Sequence, residues 1–253
     1  MGFSLNVGSA NSLRGQERRR GALMARWIDA VMSWLKWPVA AWVLLSVPQL
    51  ALADLDLIRR SLRTALAPFW LGMAGYLVVW WLLLRRQIWG QFLATLLHEL
   101  THGLFALLTL HRVVSLKATW SSGGEIQYTG LGNWLITIAP YFFPLAMLTA
   151  VPILVVLQPD ETIRLALIGV VFGFESAAMW RQVHWGQPDL QKVGAVFTVV
   201  FLPGALLWTY GMVLALILGG DSGMVSFVSD NWSSHWRQVW SLGEELLRAV
   251  PRP

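Results

Sequence analysis

A chain of 253 residues that is 56% hydrophobic and only 13% charged carries about half the charge of an average soluble domain, where roughly a quarter of positions are charged. With 16 tryptophans and a mean hydropathy of +0.55, it reads as an integral, multi-pass membrane protein. The absence of cysteine excludes disulfides and thiolate metal sites, so any bound metal must be held by His, Asp or Glu. The net charge of +5 gathers in the stretch "RGQERRRGALMAR" (Arg14–Arg26), which suits anionic lipid headgroups. No folded basic surface for nucleic acid is visible.

Six apolar segments follow in chain order. The first, Trp37–Ala53, is short and holds Pro38 and Pro48. Its end, Ala51–Leu52–Ala53, resembles a signal-peptide cleavage site, but the basic region before it is long for one, so an anchor or partly inserted helix is the better reading. The second, Ala65–Leu84, is bracketed by Arg59, Arg60 and Arg63 before it and by Arg85 and Arg86 after it. The third is Gly90–Leu110. The fourth, Trp134–Leu157, is interrupted by Pro140, Pro144 and Pro152. The fifth is Ile163–Trp180 and the sixth Ala195–Leu218. Roughly 20 helical residues cross a hydrocarbon layer of about 30 Å. The expected fold is all-α: a bundle of five to six transmembrane helices.

Two stretches are not spans. Arg112–Gly130, "RVVSLKATWSSGGEIQYTG", has β-branched and aromatic residues on both sides of "SSGG", the signal of a β-hairpin between the third and fourth spans. The tail after Leu218 spaces Trp232, Trp236, Val239, Trp240, Leu247 and Val250 at helical intervals. It reads as an amphipathic helix, lying on the membrane surface or packed on the bundle.

The third segment contains a contradiction. His98, Glu99 and His102 lie within an otherwise apolar run, where an ionisable residue costs on the order of 2.5–3.5 kcal/mol on insertion scales. Three together need one explanation. On a helix, His98 and His102 share a face one turn apart, and Glu99 sits about 100° round from His98. Two imidazoles can then converge on zinc while the carboxylate reaches a water at the ion, the HExxH pattern of two ligands and a general base.

Catalytic zinc takes three protein ligands. The third must come from elsewhere, and Asp189, His184 and Glu175 are the candidates. Asp189 is favoured. Counting crossings puts it on the face toward which His102 points, and Gly186 and Pro188 break the helix there.

"HELTH" inside an apolar helix, a hairpin after it and a later span leading to an Asp resembles the site-2 protease family of intramembrane zinc metallopeptidases, in its small form without a PDZ domain. The resemblance runs from His98 to Gly194. It implies zinc held by His98, His102 and Asp189, Glu99 as general base, and a hairpin that positions a membrane-protein substrate as an added strand. The chain as a whole is expected to divide into a basic N-terminal segment with an amphipathic stretch (1–36), a transmembrane metallopeptidase-like domain (37–218, core 90–218) and an amphipathic interfacial tail (219–253). One departure is that the Asp is followed by Leu190 rather than by the family's usual Gly.

Two other functions use the same residues: a metal carrier or transporter, and an inactive scaffold. Transporters usually show related halves, and no repeat is visible. A bacterial inner membrane is the expected setting. Orientation depends on the first segment. If Trp37–Ala53 spans, the N-terminus and the hairpin lie on opposite sides. If it does not, the N-terminus, Arg59, Arg60, Arg63, Arg112, Lys117, Arg181 and Lys192 share one side, which the positive-inside rule makes cytoplasmic, and this is the favoured arrangement.

Overall fold

The computed structural model describes residues 7–64, 66–84, 88–119 and 123–249. Arg85, Arg86, Ser121, Ser122 and Val250 lie outside the described residues. The elements run α1 (Val7–Arg63), α2 (Ala67–Leu82), α3 (Ile88–Leu108), β1 (Val113–Ala118), β2 (Gly124–Tyr128), α4 (Trp134–Ile138), α5 (Leu145–Leu157), α6 (Glu161–Gln182), α7 (Pro188–Val193) and α8 (Ala195–Ala249). Among the described residues the protein is all-α apart from one two-stranded antiparallel sheet.

Among the described residues, three helices are long and apolar enough to cross a membrane: Gly21–Arg63, Glu161–Gln182 and Ala195–Glu245. The bent pair Trp134–Tyr141 and Leu145–Leu157, turned by 64°, makes a fourth if it is one span. This is fewer than the five to six that hydropathy predicts, and the reasons are local. The second segment yields only the 16-residue α2, about 24 Å of helix. In α3, His98, Glu99 and His102 occupy positions an apolar span would need. The lipid-compatible surface is plain elsewhere: Leu71, Val156 and Trp180 are 72%, 81% and 81% exposed.

Glycine sets how closely two of the helices approach. A Cβ on Gly72 would strike the Ala166 carbonyl, and one on Gly169 the carbonyl of Phe69. Gly169 and Gly173 are four apart on α6, and both face α2, the small-residue packing that membrane helices use in place of a hydrophobic drive. Phe69, fully buried, closes the contact edge-on against Phe172.

α1 runs unbroken through Ala51–Ala53, and Leu50 is buried with Ala215 and Phe227 of α8. α8 itself turns back at Gly220, whose φ of 61° and ψ of −153° are not helical. Its second half then packs on its first half and on α1. Phe227 meets Trp208, Trp232 and His235 meet Trp42, and the Gln49 amide donates to the Asn231 carbonyl at 2.6 Å. Of the two arrangements open to the tail, packing on the bundle is what these contacts show. Trp236 and Trp240 stay on the outside, 48% and 73% exposed.

α3 does not traverse the bundle from one end to the other. It starts beside the C-terminal end of α6, where Gln182 donates to the Ala94 carbonyl at 3.4 Å. It ends beside the N-terminal part of α1, where His111 meets Asp29 at 3.1 Å. α1 reaches α7 as well, through Lys36 and the Val193 carbonyl at 2.7 Å, so both ends of α3 lie at one end of the bundle. α1 therefore runs the length of the bundle, yet the start of its described part and the hairpin lie on the same side. Arg59, Arg60 and Arg63, expected beside the N-terminus, therefore lie at the other end of α1, and the two arrangements that a full crossing of α3 would make exclusive hold together.

Candidate metal centre

The centre is built where α3, α4, α6 and α7 meet under the hairpin. Pro144 ends the bend between α4 and α5, and this bend leaves the first N–H groups of α5 without helical partners. The buried Glu175 of α6 satisfies two of them, accepting from the Ala146 and Met147 N–H groups at 3.1 and 3.3 Å. That is a structural task, and it takes Glu175 out of the ligand set. His184 is exposed, and its Nδ1 accepts from the Gly186 N–H at 3.2 Å. Neither joins the site.

Asp189 does. Gly186 and Pro188 stop α6 and open α7, and Asp189 in the first turn of α7 turns its carboxylate toward α3. Leu190, in the place where the family has Gly, is 2% exposed and packs into the core with Val193 and Phe197. The apolar side chain thus anchors the short helix that presents the carboxylate.

Three donor atoms converge. His98 Nε2 and His102 Nε2 lie 3.2 Å apart, and Asp189 Oδ2 is 3.4 Å from the first and 3.2 Å from the second. Zinc bonds of about 2.0–2.2 Å place the donors of a tetrahedral site roughly 3.3–3.5 Å apart. The observed triangle is one face of such a tetrahedron.

The outer partners fix which nitrogens face inward. His102 Nδ1 lies 2.7 Å from the Ile136 carbonyl, which can only accept, so Nδ1 carries the hydrogen and Nε2 presents a lone pair. His98 Nδ1 lies 3.0 Å from Gln182 Oε1. The Gln182 amide nitrogen is committed to the Ala94 carbonyl, so His98 also presents Nε2 bare. Two lone pairs and a carboxylate aimed at one point repel one another unless a cation lies between them. Carbonyl and amide partners that set the tautomer are the usual outer shell of a metal-binding histidine. The buried Tyr141 donates its hydroxyl to Asp189 Oδ2 at 3.3 Å.

Glu99 is 8% exposed and lines the same cavity of about 460 Å³ as His98, His102 and Asp189. One wall is the hairpin. β1 and β2 pair in the register Ser115↔Gln127, Leu116↔Ile126 and Lys117↔Glu125. Gly123, Gly124, Glu125, Ile126 and Tyr128 face the cavity. Gly124 lies so close to the Glu99 side chain that a Cβ there would sit 2.7 Å from Oε1. The hairpin positions the carboxylate by contact.

The family profile described as peptidase M50B-like matches residues 70–216, more than half the chain. The chain belongs to that family. It is therefore a site-2 protease-like peptidase of the membrane metallopeptidase class, and its apolar helices make it a membrane protein. The match contains α3, the hairpin and α7, and leaves out α1 and the second half of α8. No curated protein and no solved structure matches the chain. Within this M50B-like centre, sequence reasoning missed Gln182, Tyr141 and the Ile136 carbonyl. Gln182, a polar residue ending an apolar helix beside Arg181, looks like an interfacial side chain.

Proposed function

We infer that this chain is an intramembrane zinc metalloprotease, with His98, His102 and Asp189 as ligands and Glu99 as general base. The observation that carries the reading is the three-atom convergence, with both histidine tautomers set from outside. Zinc, when bound there, supplies Lewis-acid chemistry, lowering the pKa of a water toward about 7 and polarising a scissile carbonyl. Glu99, in the same cavity, accepts the proton of the attacking water and returns it to the leaving nitrogen. The hairpin and α3 wall this cavity, so a bound substrate segment would displace water from around the reacting groups.

The substrate is a membrane-protein segment. A transmembrane helix has its carbonyls bonded internally and must unwind before attack. β2 supplies four of the residues that line the cavity and β1 none, so an unwound stretch pairing along the free edge of β2 would pass beside Glu99. The placement of Glu99 against Gly124 favours an enzyme over metal carriage, which needs no positioned base.

Cleavage of a transmembrane substrate in reconstituted vesicles tests the reading. Glu99→Gln should lower turnover by roughly 10²–10⁴-fold while the protein keeps its zinc. Turnover by Glu99→Gln at the wild-type rate would overturn the assignment of the base.

A further inference from the structure

The N-terminal helix lies outside the family match, yet it holds two of the elements that build the centre. Lys36 Nζ donates to the Val193 carbonyl at 2.7 Å, on the last residue of α7. The same ammonium lies 4.8 Å from the ring centroid of Phe197 in the first turn of α8. A cation at a helix C-terminus satisfies an orphan carbonyl and opposes the helix dipole. α7 has only six residues and starts with Asp189 at its second position, so a tie at its far end fixes where that carboxylate points.

Seven residues earlier on the same helix, Asp29 makes a second tie. Its Oδ2 is 3.1 Å from Nε2 of the fully buried His111, and its Oδ1 accepts from Asn133 Nδ2 at 3.0 Å. His111 stands just before β1 and Asn133 caps α4. His111 Nδ1 lies 3.1 Å from the Thr109 hydroxyl, and Gly130, at φ +91°, leaves room for its ring. A third contact, Trp134 Nε1 to the Met32 carbonyl at 2.5 Å, lies between the two.

We propose that α1 is a strut for the catalytic centre, in which Lys36 is a positioning residue for the Asp189 ligand and Asp29 a positioning residue for the substrate-bearing hairpin. The proposal rests on the zinc protease reading. The two ties act on different parts, so they separate in experiment. Lys36→Met frees α7 and loosens one ligand. Asp29→Asn removes the charge facing His111 and so weakens the hold on the hairpin base, while its remaining amide oxygen still accepts from Asn133, so that α4 and the Ile136 carbonyl behind His102 stay in place.

The test uses full-length protein in detergent, with cobalt(II) as a spectroscopic stand-in for zinc and a cleavable transmembrane substrate. Lys36→Met should bind metal about 10-fold more weakly, the lower end of what outer-shell partners contribute, and should shift the visible absorption of the cobalt form. Lys36→Arg, which can still donate to the Val193 carbonyl, should restore both. Asp29→Asn should raise KM several-fold with metal affinity and cobalt spectrum unchanged. Wild-type affinity and spectrum in Lys36→Met would overturn the α7 tie, and an unchanged KM in Asp29→Asn the hairpin tie. Should Met at 36 prevent folding, Lys36→Gln is read the same way. Absence of metal binding and cleavage in the wild type would instead defeat the protease reading itself.

Discussion

Gly124→Ala is a one-carbon probe of the general base. The added methyl would strike Glu99 Cγ and lie 2.7 Å from Oε1 and 2.8 Å from Cδ. Comfortable contacts begin near 3.5 Å, so the side chain from Cγ outward must retreat by roughly 1 Å. Glu99 can do this by changing rotamer, because the methyl meets only its side chain and no backbone. The fold and the ligand set should therefore survive. A misplacement of about 1 Å at a reacting group costs up to about 10²-fold. Gly124→Ala should then lower kcat by about 10–100-fold, or about 1.4–2.7 kcal/mol of transition-state stabilisation. Steady-state cleavage of a transmembrane substrate, with zinc content and thermal stability measured on the same preparation, decides it. Wild-type kcat in Gly124→Ala would refute the contact between hairpin and base. Loss of zinc together with turnover would show that the hairpin supports the ligands instead.

Glu175→Ala should leave two buried N–H groups of α5 unpaired and lower stability by about 2–4 kcal/mol, seen as a drop in Tm in detergent, with zinc content unchanged. Gly169→Ala should drive α6 off the Phe69 carbonyl of α2, costing about 1–3 kcal/mol in denaturant unfolding, whereas Gly21→Ala, with open space around it, should not. Because α3 lies at one end of the bundle, single cysteines at Ser33 and Val114 should label from the same side of a sealed vesicle and one at Ser222 from the other. Labelling of Ser33→Cys and Val114→Cys from opposite sides would restore a full crossing for α3.

Local chemistry was legible in the sequence where it is carried by spacing. Imidazoles four apart in a helix must share a face, so His98 and His102 could be paired without coordinates, and the break at Gly186 and Pro188 marked where a carboxylate could turn inward. The hairpin followed from β-branched residues around "SSGG" (Ser121–Gly124). What could not be read are partners set by tertiary contact alone. Gln182 is 84 residues from His98 and the Ile136 carbonyl 34 from His102, and nothing nearby signals either. Hydropathy also measures the length of an apolar run and not its direction, so it predicts for α3 a crossing that its contacts do not support. The turn in α8 had a local mark, the adjacent Gly219 and Gly220. Glu175 was ambiguous for a physical reason: a buried carboxylate in a span can pair with a metal or with orphan N–H groups, and only the bend at Pro144 makes the second available.

The metal itself is the most direct test. Protein purified without chelators and analysed by elemental mass spectrometry should hold one zinc per chain. That zinc should be lost in His98→Ala and in Asp189→Ala, and kept in His184→Ala. A wild-type chain free of divalent metal, or an Asp189→Ala chain that keeps a full complement of zinc, would contradict the account.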